Sequence, residues 1–364
     1  MKKIFFVALA ATLLAAGCQK TEIINEVGDT INFSSEMGKL TKAGTGDLTT
    51  LKAQDFSVWA YYAADDKNTS EDDTHMVYDE IDNVRVTDGT NDKWGTVEQY
   101  YWPGVGKELI FFAVSADVAT IGETTYNADG EVATNTSKVK VNADRTALTI
   151  TEFTVNPATP NVDLMVADIV KQHQGDKVVD LDFHHTLAKV EFLFKTITNE
   201  DNLTVTVNSL TVGGVNTVGT FSTVQPAQTR AEGDATEGGS STAYSGTKTP
   251  VGFYWTDQKT PEAFSVRKTD APESFVLADE YAVYSSWLVI PQSIATTTVT
   301  VNYTIGDATG SKTFDSIFNL YTDSLTAWEP NQYVAYRITL APNLITFNPS
   351  VEDWDEVDNL DMVN

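Results

Sequence analysis

Apolar and polar residues alternate with a period of two through most of this chain. Phe56, Val58 and Ala60 fall on one face of such a segment, while Ser57 and Trp59 fall on the other. Alternation of this kind is typical of a β-strand that is buried on one face. Similar segments recur along the chain, rich in Thr, Val, Tyr and Phe and separated by Gly, Asp and Asn. The sequence therefore predicts an all-β protein built from antiparallel sandwiches.

Two segments depart from simple alternation. Residues 109–114, LIFFAV, are apolar on both faces and predict a central strand that is buried on both sides. Residues 314–328 carry Phe318, Leu320 and Leu325 at spacings that are compatible with one or two helical turns. We therefore expect one short helical stretch in an otherwise β-rich chain.

Residues 1–17 have the order of a bacterial lipoprotein signal peptide. Lys2 and Lys3 form a positive start, residues 4–14 form an apolar run too short to span a bilayer comfortably, and small residues precede Cys18. This cysteine is the only one in the chain and lies where such a signal places the thiol that receives lipid. We predict cleavage before Cys18 and attachment to a membrane through acyl chains such as palmitate. An ordinary secreted protein with an incidental cysteine is the alternative.

Composition narrows the possible partners. The formal charge is −27, with 24 basic against 51 acidic residues, and such a surface repels both nucleic acid and anionic lipid. A single cysteine excludes an intramolecular disulfide. A length of 364 residues suits two domains of ordinary size. We therefore expect no nucleic-acid partner and a fold that packing alone stabilises.

Residues 18–42 are the predicted leader. Two features divide the chain that follows it. The sequence FHHTLAKV joins two strong strands and is the predicted boundary between an N-terminal domain, 43–186, and a C-terminal domain, 187–364. Residues 225–249 are poor in apolar side chains and rich in Gly, Ser and Thr. Such a segment cannot bury enough surface to offset the entropy of ordering, so it predicts a long mobile loop.

The chain carries no recognisable catalytic or cofactor motif. HExxH and GxSxG do not occur, and GVGK at 104–107 lacks the first glycine and the hydroxyl of a phosphate loop. His184 and His185 are adjacent, so a strand directs them to opposite faces and they cannot chelate one metal ion together. The acidic clusters do not have the ligand spacing of an EF-hand. We expect no catalytic residue, no metal and no cofactor, and therefore no enzyme.

A group of aromatic residues, Trp94, Tyr100, Tyr101 and Trp102, supports two interpretations. Exposed rings in a shallow groove stack on sugars, and the protein would then be a surface glycan-binding lipoprotein. Pro103 favours instead an extended entry to a strand, with the rings packed at the edge of a sandwich. The exposure of the two tryptophans separates these interpretations.

Short segments run through the chain in the order and spacing of one protein family. They are INF at 31–33, LTKA at 40–43, FSVWAYY at 56–62, YWP at 101–103, LIFFA at 109–113, VDLMVA at 162–167, LDFHH at 181–185, LAKV at 187–190, VIPQ at 289–292, residues 328–338, NP at 348–349 and VEDW at 351–354. Together these segments resemble the fimbrillin family, the type V pilins of Bacteroidales and their lipoprotein relatives.

The resemblance implies a fold and a function. The fold would be two transthyretin-like antiparallel β-sandwich domains in tandem. The chain would be exported through the periplasm to the cell outer membrane as a lipoprotein precursor, and a maturation protease would remove its first strand. A strand of the neighbouring subunit would then fill the open groove by donor-strand exchange. Such a head-to-tail contact does not close, so the product is a fimbrium that supports adhesion to a host or bacterial surface receptor.

Mapped onto this sequence, the resemblance predicts a removable strand around Ile31 and Phe33 and a processed bond between Lys42 and Ala43. The first arginine of the chain is Arg85, so an arginine-specific protease has no target in the leader. A lysine-tolerant protease would have to act at Lys42. If Lys42 is only a surface lysine, the chain is an uncleaved anchor or accessory lipoprotein of the fimbrium.

The resemblance also places the donor strand in the C-terminal segment, 344–364. Its apolar candidates are Val351, Trp354, Val357 and Leu360, which lie among aspartates and glutamates. Their spacing is not clean alternation. Either the tail is a poor donor, or only part of it inserts into a neighbouring subunit.

Overall fold

The computed structural model describes most of the chain between residues 30 and 353. The described residues are 30–37, 55–62, 81–88, 94–96, 98–102, 108–116, 121–122, 124–126, 132–155, 162–173, 178–197, 202–224, 247–249, 251–259, 264–265, 275–341 and 344–353. Apart from Ile121, which is helical, all the regular secondary structure in these ranges is β-strand. The predicted all-β class is therefore confirmed.

Twenty-six strands follow one another along the described residues. The first thirteen are β1 (Phe33–Met37), β2 (Phe56–Tyr62), β3 (Val84–Asp88), β4 (Trp94–Thr96), β5 (Glu108–Ser115), β6 (Thr124–Tyr126), β7 (Val132–Asn135), β8 (Val139–Val141), β9 (Leu148–Thr154), β10 (Met165–Ala167), β11 (Ile169–His173), β12 (Val179–His185) and β13 (Ala188–Thr196). The remaining thirteen are β14 (Thr204–Gly213), β15 (Val218–Ser222), β16 (Thr247–Thr249), β17 (Tyr254–Lys259), β18 (Phe264–Ser265), β19 (Phe275–Val276), β20 (Ala282–Val289), β21 (Gln292–Ser293), β22 (Thr298–Asp307), β23 (Gly310–Asn319), β24 (Ala327–Trp328), β25 (Gln332–Ala341) and β26 (Leu344–Asp353).

The N-terminal half builds a ring of strands. A nine-stranded sheet has the order β10-β12-β1-β4-β3-β2-β5-β11-β16. Because β10 also pairs with β5, the seven strands from β10 to β5 close on themselves. Each of the seven contributes buried apolar side chains to one cluster, which includes the fully buried Phe56, Phe111 and Phe183. The core of this half therefore lies inside the ring.

The C-terminal half is a sandwich of two sheets. One has the order β20-β13-β25-β26, and the other has the order β18-β14-β22-β23 with β19 also paired to β14. Buried and half-buried residues alternate along the whole of β13. A second apolar cluster takes side chains from both sheets, among them Phe192 and Tyr336 from the first and Val207 and Val301 from the second. Two sheets that share one core in this way form a β-sandwich.

A further sheet connects the two halves. Its order is β17-β15-β9-β8, so it joins β9, before the predicted boundary at residue 186, to β15, after it. A third apolar cluster combines Trp59 and Phe112 of the ring with Phe221 of this sheet and Tyr333 of the sandwich. The boundary between the domains stays a prediction. The segments on its two sides contribute strands to the same sheet and side chains to the same apolar cluster.

The prediction for residues 109–114 is confirmed by the burial of β5. Phe111 and Ala113 point into the core of the ring, whereas Phe112 and Val114 belong to the third cluster outside it. Both faces of this strand are therefore covered. A strand between two cores has to be apolar at every position, which explains the continuous run.

The prediction of helical turns at 314–328 was wrong. β23 extends through Phe314 and Phe318, and a tight turn follows in which Thr322 and Leu325 exchange backbone hydrogen bonds of 3.0 and 3.1 Å. Along β23 the half-buried Phe314 and Phe318 alternate with exposed residues. Phe318 and Leu325 are seven residues apart, which fits two helical turns, but β23 ends between them at Asn319 and the local pattern did not show this.

The predicted loop, 225–249, lies outside the described residues except for its last three. Those three form β16, which pairs antiparallel with β11 from Thr249 opposite Ile169 to Thr247 opposite Lys171. The mobility of the rest of the segment stays a prediction. Its C-terminal end is an edge strand of the nine-stranded sheet.

A buried hydrogen bond lies at the centre of the sandwich. Trp328 Nε1 donates to the hydroxyl of Tyr336 at 3.0 Å, and both side chains are almost fully buried. Burial raises the pKa of the Tyr336 hydroxyl above its ordinary value. The Tyr336 ring stacks on Phe192 at 5.2 Å and on Phe347 at 5.4 Å between ring centroids.

We expect Tyr336→Phe to lower the free energy of unfolding by about 1–3 kcal/mol, because it leaves the buried indole N–H of Trp328 without an acceptor while keeping the ring. Denaturant unfolding followed by tryptophan fluorescence measures the change. Tyr321→Phe is the matched control, since Tyr321 is 41% exposed. Equal stability of the two variants would contradict the expectation.

Candidate functional site

The first strand occupies a position in the ring that later strands define. β1 pairs in parallel with β12, from Phe33 opposite Val179 to Met37 opposite Phe183. The N–H of Val179 also donates to the carbonyl of Asn32 at 2.7 Å. A parallel pair requires a long connection between its strands, and here the intervening chain builds the rest of the ring. The N-terminal end of the described chain is therefore held by a strand about 150 residues further on.

Pairing on the other side of β1 is shorter. Only Phe33 pairs with β4, opposite Trp94. Before the strand begins, Ile31 N–H donates to the carbonyl of Tyr100 at 2.8 Å, and Thr30 forms an isolated bridge with Tyr101. β12 is therefore the main backbone partner of β1. Removing β1 would leave β12 and β4 as two edges that face one gap.

The side chains around β1 alternate between the core and the surface. Ile31 and Phe33 are each only 6% exposed, and the Phe33 ring meets Phe111 edge-on at 6.1 Å between centroids. The side chains of Asn32 and Ser34, which alternate with them, point outward. Ser34 Oγ donates to Asp180 Oδ1 at 2.9 Å. The alternation that the sequence predicted for this strand is present. An extended segment could replace β1 only if it carried apolar side chains at every second position.

The two tryptophans proposed as a glycan platform are buried, so the prediction of a sugar-binding platform at these rings is wrong. Trp94 packs against Phe56 at 4.9 Å and Trp102 packs against Phe111 at 5.8 Å between ring centroids. Both belong to the core of the ring. Tyr100 is only partly buried beside them. The alternative interpretation, packing at the sheet edge, agrees with this burial.

The tandem histidines at the junction point to opposite faces of β12, as predicted. His184 Nε2 lies 3.1 Å from Asp168 Oδ1, and His185 Nδ1 lies 2.7 Å from Asp163 Oδ2. The sequence offered no signal for these carboxylate partners, because they follow from the pairing of β10 with β12. Within the described ranges, no group of three or more His, Cys, Asp or Glu side chains could hold a metal ion.

The first ten residues of the predicted donor segment form β26. This strand pairs antiparallel with β25 along its whole length and is an edge of the sandwich, with no second neighbour among the described strands. Val351 lies opposite Val334 and is 44% exposed. Phe347 points inward and stacks on Phe318 at 5.2 Å between centroids. In the isolated chain, this part of the segment therefore completes its own sandwich.

Several predicted positions lie outside the described residues, so lipidation, processing and most of the donor segment stay predictions from the sequence. The positions concerned are Cys18, Lys42, Ala43, Trp354, Val357 and Leu360.

In the part of the chain that is described, no helix has the length and apolar character needed to cross a membrane.

We expect Phe33→Ala to lower the free energy of unfolding of residues 19–364 by about 3–5 kcal/mol, because it leaves a cavity against Phe111 in the core of the ring. Asn32→Ala changes an exposed side chain of the same segment and should alter stability by less than about 0.5 kcal/mol. Chemical denaturation of the two variants measures both values. A loss for Phe33→Ala as small as the control would show that β1 is not an integral part of the ring.

Comparisons with known proteins identify relatives of the chain. A family model described as fimbrillin-like matches residues 41–354. A fimbrial protein from Bacteroides vulgatus is similar in structure, with 15% identity, a TM-score of 0.48, and coverage of 89% of this chain and 99% of that one. The tip fimbrial protein Mfa3 from Porphyromonas gingivalis is similar as well, with 11% identity, a TM-score of 0.36, and coverage of 90% and 99%. No curated protein matches the chain significantly.

Proposed function

The chain belongs to the fimbrillin-like family, and from this premise we propose that it is a structural subunit of cell-surface fimbriae that assembles by donor-strand exchange. Family membership supports a fimbrial subunit at the cell surface, with other fimbrial subunits as partners, and favours a structural role over an enzymatic one. The observation that carries strand exchange is the position of β1, an N-terminal strand that fills a gap in a ring made by later strands.

Cleavage after Lys42 would separate the whole of β1 from the chain, because β1 ends at Met37. The gap would then expose the backbone groups of β12 and the apolar surface that Ile31 and Phe33 cover. An unpaired edge beside an uncovered core is unstable in water and is a template for another strand. An extended segment from a neighbouring subunit would restore both the hydrogen bonds and the apolar contacts.

The C-terminal segment, 344–364, is the proposed donor. Among the described strands β26 has one neighbour, so it can leave the sheet without separating two interior strands. Half-exposed Ile345 and Val351 lose little on leaving, whereas Phe347 would have to give up its stack with Tyr336. A contact between the C-terminal end of one subunit and the ring of the next is head-to-tail and propagates as a fibre.

We place the precursor of this subunit at the outer membrane, lipidated at Cys18 after export through the periplasm. Its two halves, the ring and the sandwich, correspond in this proposal to two tandem transthyretin-like domains. If Lys42 is cleaved, the lipid and β1 leave together, and the anchor is temporary. If it is not, the chain keeps its anchor and acts as an accessory lipoprotein of the fimbrium. The adhesion receptor would be a host or bacterial surface.

Removal of the leader should start polymerisation. We expect residues 43–364 to form ladders of oligomers on native and unheated denaturing gels, while residues 19–364 stay monomeric because β1 fills the gap. Residues 43–343 are the matched control, since they have the open gap but no donor segment, and they should stay monomeric. A folded 43–364 that never oligomerises would contradict strand exchange. Polymerisation of 43–343 would contradict the C-terminal donor.

Processing at Lys42 can be tested on fibres sheared from cells. We expect N-terminal sequencing to give Ala43 as the first residue, and Lys42→Gln to keep the full precursor in the membrane fraction. Lys39→Gln changes a neighbouring lysine of the same leader and should leave processing intact. Fibres that contain only the lipid-linked precursor would exclude the shaft role and favour the uncleaved accessory subunit.

A further inference from the structure

An open cleft of about 450 Å³ lies between β17 and the two-stranded ribbon of β21 and β24. Neither β1 nor β26 contributes to it. We propose that this cleft binds a neutral saccharide, an activity that goes beyond subunit assembly. Its size falls within the range of small-molecule sites in proteins.

One wall of the cleft is fixed by a network of side-chain amides. Gln292 accepts the N–H of Asn216 at 2.7 Å and donates to the carbonyls of Asn216 and Ile290 at 3.1 and 2.8 Å. Asn216 Nδ2 in turn donates to Gln258 Oε1 at 2.8 Å, and Gln258 Nε2 donates to the carbonyl of Pro291 at 2.9 Å. Every amide of this network has partners, so the wall is formed before any ligand arrives.

The second strand of the ribbon, β24, is equally constrained. Trp328 pairs with Gln292 across the ribbon, and its buried ring anchors β24 in the core of the sandwich. The next residue, Glu329, donates its N–H to Gln332 Oε1 at 3.0 Å. The backbone that carries Glu329 is therefore held in place, while its side chain is exposed at the cleft.

The position of the Tyr254 ring depends on a glycine. A Cβ atom at Gly252 would lie 2.5 Å from Tyr254 Cε2, so the ring packs directly on the backbone of this residue. On the two sides of Tyr254 in the sequence, Phe253 and Trp255 pack against the third apolar cluster. Trp255 Nε1 also donates to the carbonyl of Thr186 at 3.0 Å. Tyr254 is thus an aromatic platform on a rigid support, and it remains 36% exposed.

Four polar side chains that line the cleft have hydrogen-bonding capacity left for a ligand. Within the described part of the chain, no hydrogen bond or ion pair engages the hydroxyls of Tyr254 and Thr256 or the carboxylate of Glu329. The hydroxyl of Ser293 accepts one long bond of 3.5 Å. Three hydroxyls that both donate and accept, with one carboxylate that only accepts, match the hydroxyl groups of a sugar.

The charge of the cleft selects against other ligands. Among the described residues that line the cleft there is no lysine or arginine, and the formal charge of the chain is −27, so phosphates and acidic sugars are repelled. A lysine or arginine side chain of a peptide could pair with the carboxylate of Glu329. Because these side chains only donate hydrogen bonds, they could not accept hydrogen bonds from the three hydroxyl groups of the cleft. The apolar face of a neutral sugar ring can pack on Tyr254 while its hydroxyls donate to Glu329.

Binding can be measured on residues 19–364 by saturation-transfer NMR. The probes are methyl glycosides of glucose, galactose, mannose and N-acetylglucosamine, their disaccharides, one sialylated trisaccharide and a lysine-rich peptide. We expect at least one neutral saccharide to bind with a Kd of about 1 mM or below, with little dependence on salt. Binding of the sialylated sugar or of the peptide without any neutral saccharide would overturn the proposal, as would no binding at all.

Variants locate the site. Tyr254→Ala should weaken saccharide binding by about tenfold or more, and Glu329→Gln by about threefold or more, whereas Tyr254→Phe should keep most of the affinity. The matched controls are Tyr321→Ala and Glu280→Gln, which change exposed residues outside the cleft. Unchanged binding in both Tyr254→Ala and Glu329→Gln would overturn the assignment. Polymerisation of residues 43–364 should be the same with Tyr254→Ala, so the outcome is independent of strand exchange.

Discussion

Backbone hydrogen bonds between β1 and β12 run along five parallel residue pairs and hold the first strand in the closed ring of the N-terminal half. A closed ring has no free edge among its members, so its core is covered on every side without help from a partner. β1 is the N-terminal strand of the described chain, so one cut between β1 and β2 would separate it whole from the other six strands of the ring. The contact that completes the fold is therefore also the contact that strand exchange would replace.

The third apolar cluster makes the two halves of the chain depend on each other. Trp59 and Phe112 on the outside of the ring pack with Phe221 and Tyr333 from beyond the predicted boundary. A close-packed cluster has low compressibility and transmits strain, so a displacement in one half is felt in the other. The connecting sheet therefore links the ring, whose first strand would be replaced in strand exchange, to the region that contains the cleft. β17 belongs to both regions, since Trp255 packs on the cluster while Tyr254 faces the cleft.

Local pattern predicted the strands well where burial follows from the immediate sequence. The run at 109–114 is apolar on both faces because β5 lies between two cores. The pattern failed at 314–328, where Phe318 and Leu325 are spaced as in a helix but lie on the two sides of the end of β23. It also could not decide the exposure of Trp94 and Trp102, because their covering partners, Phe56 and Phe111, come from other strands. Phe253, Tyr254 and Trp255 carried no signal of a cleft for the same reason.

The sequence by itself determined the all-β class, the two apolar faces of β5, and the alternation of Ile31 and Phe33. These properties depend on side-chain period, which is local. Tertiary structure alone decided that β1 pairs in parallel with β12, that the ring closes through β10 and β5, and that Gln292 and Tyr254 meet across a cleft. Those choices depend on backbone hydrogen bonds, which are nearly the same for every residue type, and on contacts between residues far apart in the chain. The period of the apolar residues predicts which face of a strand is buried. Only the tertiary structure determines which residues that face packs against.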